Sequence, residues 1–149
     1  MTGYTAWSIN GIVVLATVMA VCLCVLLHYE CLNWLSRNLV RLERRRRRRV
    51  LFGIFGLLCV HVAEIWLFGS VYAMLSIWPA FGEVQEASAG FLDHVYLSAM
   101  IFTTVGAGDM VVKGPLRFLA GTEALSGLVL ITWSASFTYL EMERFWRDR

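Results

Sequence analysis

The sequence predicts an all-α membrane protein: three transmembrane helices plus a short helix that dips into the bilayer without crossing it. Three observations carry this reading. The first is composition: 58% of the 149 residues are hydrophobic and 16% charged, at a mean hydropathy of +0.64, which is far from the balance of a soluble domain. The second is length. A helix needs about 20 apolar residues to span a hydrocarbon core of roughly 30 Å. Three stretches reach that length, at about 8–29, about 50–76 and about 115–139, each apolar all round. The third is charge placement, because the arginines gather in one loop and at the tail.

The first span has no Lys or Arg before it, and no small-x-small cleavage site follows its apolar run, so an uncleaved span is expected rather than a signal peptide. No Gly or Pro interrupts the chain through His28, Trp34 and Leu39, so the helix should run on to the arginines. Arg37, Arg41 and the run Arg44, Arg45, Arg46, Arg47, Arg48 and Arg49 place the following loop in the cytoplasm. Contiguous arginines suit a stop-transfer anchor or a contact with anionic lipid headgroups. They do not suit a voltage sensor, whose arginines recur at every third residue within an apolar helix. The amino terminus then lies outside, and three crossings return Glu141 to Arg149 to the cytoplasm of a multi-pass plasma (inner) membrane protein. Residues 1–49 make one unit and 50–149 a second. Cys22, Cys24, Cys31 and Cys59 fall in or beside spans and read as small apolar filler, with neither a disulfide framework nor a paired zinc spacing. Neither nucleic acid nor an enzyme substrate is expected as a partner.

The second span should stop at Trp78-Pro79, followed by an outer loop through the small, polar stretch Gly82 to Gly90. Phe91 to Phe102 is too short to cross and suits a re-entrant helix, with Asp93 near its start as a cap or dipole partner. Gly114-Pro115 opens the last span, with the proline where a first helical turn accepts it.

Between the short helix and the last span lies Thr103-Thr104-Val105-Gly106-Ala107-Gly108-Asp109. It resembles the selectivity-filter sequence TTVGYGD of the tetrameric potassium-channel superfamily, in which backbone carbonyls replace the hydration shell of a permeating cation. The resemblance covers about 50–145, and the topology read from the arginines puts the motif on the outer side, as that superfamily does. It implies an outer helix at about 50–76, a pore helix at about 91–102, a filter at 103–109 and an inner helix at about 115–146. Carbonyls of Thr104, Val105, Gly106 and Ala107 would hold potassium ions and Gly108 would complete the filter. Thr103 and Asp109 would support it, Asp109 through the Tyr96 hydroxyl. A homotetramer is implied too, since one chain cannot shelter an extended segment at membrane depth. No cofactor is expected besides permeant potassium or another monovalent cation.

Two positions depart from the family pattern. Ala107 stands where the family packs an aromatic cuff around the filter, and Met100 stands where some members place a carboxylate behind it. Weaker discrimination between potassium and sodium is the expectation from Ala107, unless Tyr96, Met100 or a neighbouring subunit fills the space. A non-selective monovalent cation channel and a non-conducting membrane subunit that keeps the fold are the alternatives. About nine residues, Glu141 to Arg149, follow the last span, so a cytoplasmic ligand-binding domain is not expected.

Gly121 and Gly127 lie in the last span, either as hinges of a pore-lining helix or as sites of close packing. Ionisable groups inside a membrane cost about 2.5–3.5 kcal/mol each, so His61, Glu64 and Glu123 need partners. Counting 1.5 Å per residue places them about 17, 21 and 18 Å above the cytoplasmic boundary. One shared layer is therefore expected, with Glu123 meeting His61 and Glu64 behind the short helix. That layer reads as a brace or as a pH-sensitive gate. A metal centre lacks an evident third ligand.

Overall fold

The computed structural model describes residues 2–41, 46–85, 90–106 and 108–147. Arg44, Arg45 and Ala107 lie outside the described residues, as do the side chains of Arg46 and Arg47. The chain is mostly helical: α1 (Thr2–Arg41), α2 (Arg46–Leu75), α3 (Phe91–Phe102) and α4 (Leu116–Arg147). Three of these contain segments long and apolar enough to cross a membrane, Trp7–Leu39, Arg48–Leu75 and Leu116–Glu143. At 1.5 Å per residue the first is about 50 Å long, so part of it stands beyond a core of roughly 30 Å.

The helix α3, only 12 residues long, packs against both α2 and α4, and α1 packs along the same two helices. Phe68, Tyr72 and Leu75 of α2, Leu97 and Phe102 of α3, and Leu116, Leu119 and Leu130 of α4 form one core, joined from α1 by Ala20 and Cys24. A second patch unites Leu32, Leu35 and Leu39 of α1 with Leu57 of α2. Where the first turn of α2 meets the last turns of α4, Arg49 donates to Glu141 at 2.6 Å. That ion pair puts these two helix ends at the same level, and Arg48 beside it is exposed. The outer surface stays apolar, with Leu15, Phe55, Leu58, Leu125 and Leu128 all exposed, as suits contact with lipid.

Two glycines set how closely α3 is gripped. A Cβ on Gly69 of α2 would lie 2.8 Å from the Val95 Cα, and one on Gly127 of α4 would run into the backbone carbonyl of Phe102. The space beside Gly127 is therefore occupied by the end of α3, whereas nothing lies within 4 Å of a Cβ on Gly121. Asp93 falls in the first turn of α3, and the N-cap residue is Gly90, without a side-chain cap.

One feature departs from the all-α expectation. Glu83–Gln85 (β1) and Val111–Lys113 (β2) pair antiparallel, with Glu83 opposite Lys113, which places opposite charges across the ribbon. Gly82 makes the ribbon possible: its φ is 124°, and a Cβ there would strike the Lys113 carbonyl. Strands of three residues carry too little alternation to be read from sequence. The ribbon links the segments before α3 and before α4, so the chain around α3 is closed as a loop.

Replacing Gly127 by Ala is expected to destabilise the protein. Helix propensity favours Ala by about 1 kcal/mol, but overpacking against an immobile backbone costs about 1–3 kcal/mol. Gly121→Ala meets no such obstacle and should not lower the midpoint. Thermal unfolding in detergent of the two variants checks this, and equal midpoints would show that α3 does not sit against Gly127.

Candidate functional site

The end of α3 is anchored by Phe102, fully buried in the core, and the chain leaves the helix immediately after it. Thr103 keeps a helical conformation, then Thr104 turns to φ 59° and Gly106 to φ 83°. Left-handed backbone is ordinary for Gly106 and costly for a β-branched residue such as Thr104, about 1–3 kcal/mol. The amides of this segment turn back onto the helix: Thr103 N to Ala99 O at 3.1 Å, Thr104 N to Ile101 O at 2.9 Å and Gly106 N to Met100 O at 3.0 Å. Among the described residues no backbone N–H donates to the carbonyls of Thr104, Val105 or Gly106. Thr103 to Gly106, Gly108 and Asp109 are all exposed on the single chain. The amides of Thr103, Thr104 and Gly106 are thus satisfied while the carbonyls of Thr104, Val105 and Gly106 stay open, an arrangement that can receive cations.

Tyr96 donates its hydroxyl to Asp109 Oδ1 at 3.4 Å, tying the far end of the segment back to α3. Met100 contributes its carbonyl to Gly106, and its side chain is half-buried.

Behind α3, Glu123 of α4 is fully buried. Tyr72 of α2 donates to its Oε2 at 2.7 Å, and Ser98 of α3 lies 2.5 Å from its Oε1. The Ser98 hydroxyl also reaches the Ile65 carbonyl at 2.9 Å. One hydroxyl proton cannot serve two acceptors. The bonds close if the carboxyl group of Glu123 donates to Ser98 and Ser98 donates to Ile65. Three helices meet at this one group.

Glu64 belongs to a different cluster. His28 of α1 approaches its Oε1 through Nδ1 at 2.7 Å, and His61 approaches its Oε2 through Nδ1 at 2.8 Å. On the far side of the His28 ring, Ser134 of α4 lies 3.4 Å from Nε2, and the Trp133 ring packs tilted against His28 with centroids 5.2 Å apart. The hydrogen bonds of Glu64 and Glu123 share no partner, so the two carboxyl groups are held in separate sets rather than meeting in one as expected. Depth along a helix does not fix direction around it. His61 and Glu64 sit three residues apart on a face of α2 that meets α1, whereas Glu123 faces Ser98 and Tyr72. Sequence reasoning passed over His28. Its position 11 residues before the end of the span at Leu39 gives a depth of about 16 Å, level with His61, and an ionisable side chain in an apolar run was the available signal.

The hydrogen-bond order at Glu123 separates two substitutions. Glu123→Gln keeps one donor for Ser98 and one acceptor for Tyr72, so its unfolding midpoint should stay close to that of the native chain. Tyr72→Phe leaves a buried carboxyl oxygen unpaired and should cost about 1–3 kcal/mol. Thermal unfolding in detergent decides, and a large loss from Glu123→Gln would show that the group is a buried anion held by both hydroxyls.

Comparison with known proteins adds one finding. A family model described as ion channel matches residues 60–142, which takes in the latter half of α2, all of α3, the exposed segment after it and most of α4. It leaves α1 outside. No curated protein and no solved structure matches the chain. The family match spans more than half of the sequence and coincides with the helices that grip α3, and the chain belongs to the ion-channel family.

Proposed function

We propose that this chain is a cation channel that conducts potassium ions across a membrane through a pore shared by four copies. The observation that carries the reading is the segment after α3, where the Thr104 and Gly106 amides are spent on the helix end while the carbonyls of Thr104, Val105 and Gly106 are open. Irregular backbone with open carbonyls is tolerated at membrane depth only where protein surrounds it or water fills it. One chain leaves the segment exposed, and a closed ring of copies would enclose it. In this reading α3 is the pore helix, with the negative end of its dipole toward the ions. The filter is Thr103 to Asp109, with Ala107 and Gly108 completing the ion queue, and α4 lines the inner pore. Gly127 is packed against Phe102, so bending of α4 falls to Gly121. The amino terminus lies outside and the arginine-rich turn, which can meet anionic lipid, lies in the cytoplasm.

Ala107 favours a second reading, a channel that discriminates weakly between monovalent cations. A methyl group cannot form the aromatic cuff that resists widening, and selectivity depends on carbonyl number and field as well as size.

Purified protein in liposomes should carry rubidium or potassium down a gradient. Under bi-ionic potassium and sodium the native chain should show a smaller reversal-potential shift than Ala107→Tyr. Absence of flux from a demonstrated tetramer would refute conduction, and strong potassium preference in the native chain, unchanged in Ala107→Tyr, would refute the role given to Ala107.

Orientation has its own test. Cysteines introduced at Thr2 and Gln85 should react with an impermeant thiol reagent from outside, and one at Asn38 only from inside, in a background without native cysteines. Labelling of Thr2 and Asn38 from one side would remove α1 as a crossing helix.

A further inference from the structure

Among the described residues, one group of three metal-ligating side chains has convergent donor atoms: His28, His61 and Glu64, with those atoms all within 4.8 Å of one another. Two imidazole Nδ1 atoms address the two oxygens of one carboxylate, at 2.7 Å and 2.8 Å, and the side chains of His28 and Glu64 are fully buried. With both rings neutral, the cluster holds one uncompensated negative charge in an apolar setting, which is costly without a bound cation or proton.

We propose that His28, His61 and Glu64 form an intramembrane site for a divalent transition-metal ion, with zinc as the best fit, that pins α1 to α2 beside the end of α3. Two imidazoles and a carboxylate are a donor set zinc accepts, with bonds of about 2.0–2.2 Å, which sets tetrahedral ligands about 3.4 Å apart. The Nδ1 to carboxylate distances, 2.7 and 2.8 Å, need to open by about 0.6–0.7 Å to reach that spacing. Metal-bound histidines commonly donate the opposite ring N–H to a fixed acceptor, and Ser134 Oγ stands at 3.4 Å from Nε2 of His28 to take that role. The side chain of His61 is 18% exposed, which leaves an approach for the ion. His61 also lies against Phe102, ring centres 5.9 Å apart, so an ion there bears on the residue from which the exposed segment departs. The third ligand comes from α1, the helix outside the family match, and gives that helix a task. The site stands whether or not the chain conducts.

The test is metal binding to the purified full chain in detergent after chelator treatment. Zinc should bind at one ion per chain and raise the unfolding midpoint, and cobalt should give the visible absorption of a low-coordinate nitrogen and oxygen site. His28→Ala and Glu64→Gln should each weaken zinc binding by about 100-fold or more, since even outer-sphere partners are worth about 10–100-fold. His28→Asn replaces the alanine variant if the latter does not fold. A chain with Cys24 and Cys31 both changed to Ala should bind as the native chain does. No stoichiometric zinc, or binding lost with the cysteines and kept without His28, overturns the proposal. So does a native chain that ignores zinc and cobalt while its midpoint moves with pH between about 5 and 8, because the cluster then holds a proton.

Discussion

Backbone that leaves a helix within a membrane must account for every amide and carbonyl it exposes, and the architecture around α3 follows from that constraint. The helix is too short to cross, and in the proposed reading its end falls at membrane depth. Thr104 and Gly106 turn to positive φ, and their amides bond back to Ile101 and Met100. The carbonyls are left over. A left-handed threonine persists only where the surroundings over-determine it. Here Phe102 is locked in the core on one side of the segment, and Tyr96 holds Asp109 on the other.

The grip on α3 is both apolar and polar, and the two parts do different work. Gly69 and Gly127 admit the helix to backbone contact with α2 and α4, which fixes its distance but leaves sliding possible. The Glu123 carboxyl group fixes register, because Tyr72, Ser98 and Ile65 reach it or its partner from α2 and α3 in a single set of bonds. Breaking a buried polar set by removing one member costs far more than the set adds over apolar packing. Its value is specificity: a shift of α3 by one residue would orphan Ser98 and the carboxyl group together. The His28, His61 and Glu64 cluster does the same for α1, linking a helix outside the family match to the helix that carries α3.

Much of this fold was legible because long apolar runs and an arginine block are strong signals. Three membrane-length helices emerge from counting residues, and the family emerges from a heptapeptide that no common structural demand would otherwise place between two spans. The ribbon between Glu83–Gln85 and Val111–Lys113 was not legible, since it depends on the meeting of Gly82 with Lys113, 31 positions on. The intramembrane polar residues were half legible. Cost of burial announces that His61, Glu64 and Glu123 need partners, but which helix faces which is a matter of rotation, and rotation is set by packing that a linear count does not contain. His28 was hidden for the same reason, in a largely apolar stretch whose facing surface could not be read.

The central claim is that open carbonyls of Thr104, Val105 and Gly106 from several copies converge on one axis and hold cations. The most direct measurement is a structure of the assembled protein in lipid, with thallium or rubidium replacing potassium, read by anomalous scattering along the symmetry axis. The account predicts a fourfold assembly with a row of cation peaks ringed by those carbonyls. A different symmetry, or a fourfold assembly whose carbonyls turn from an axis without cations, would contradict it.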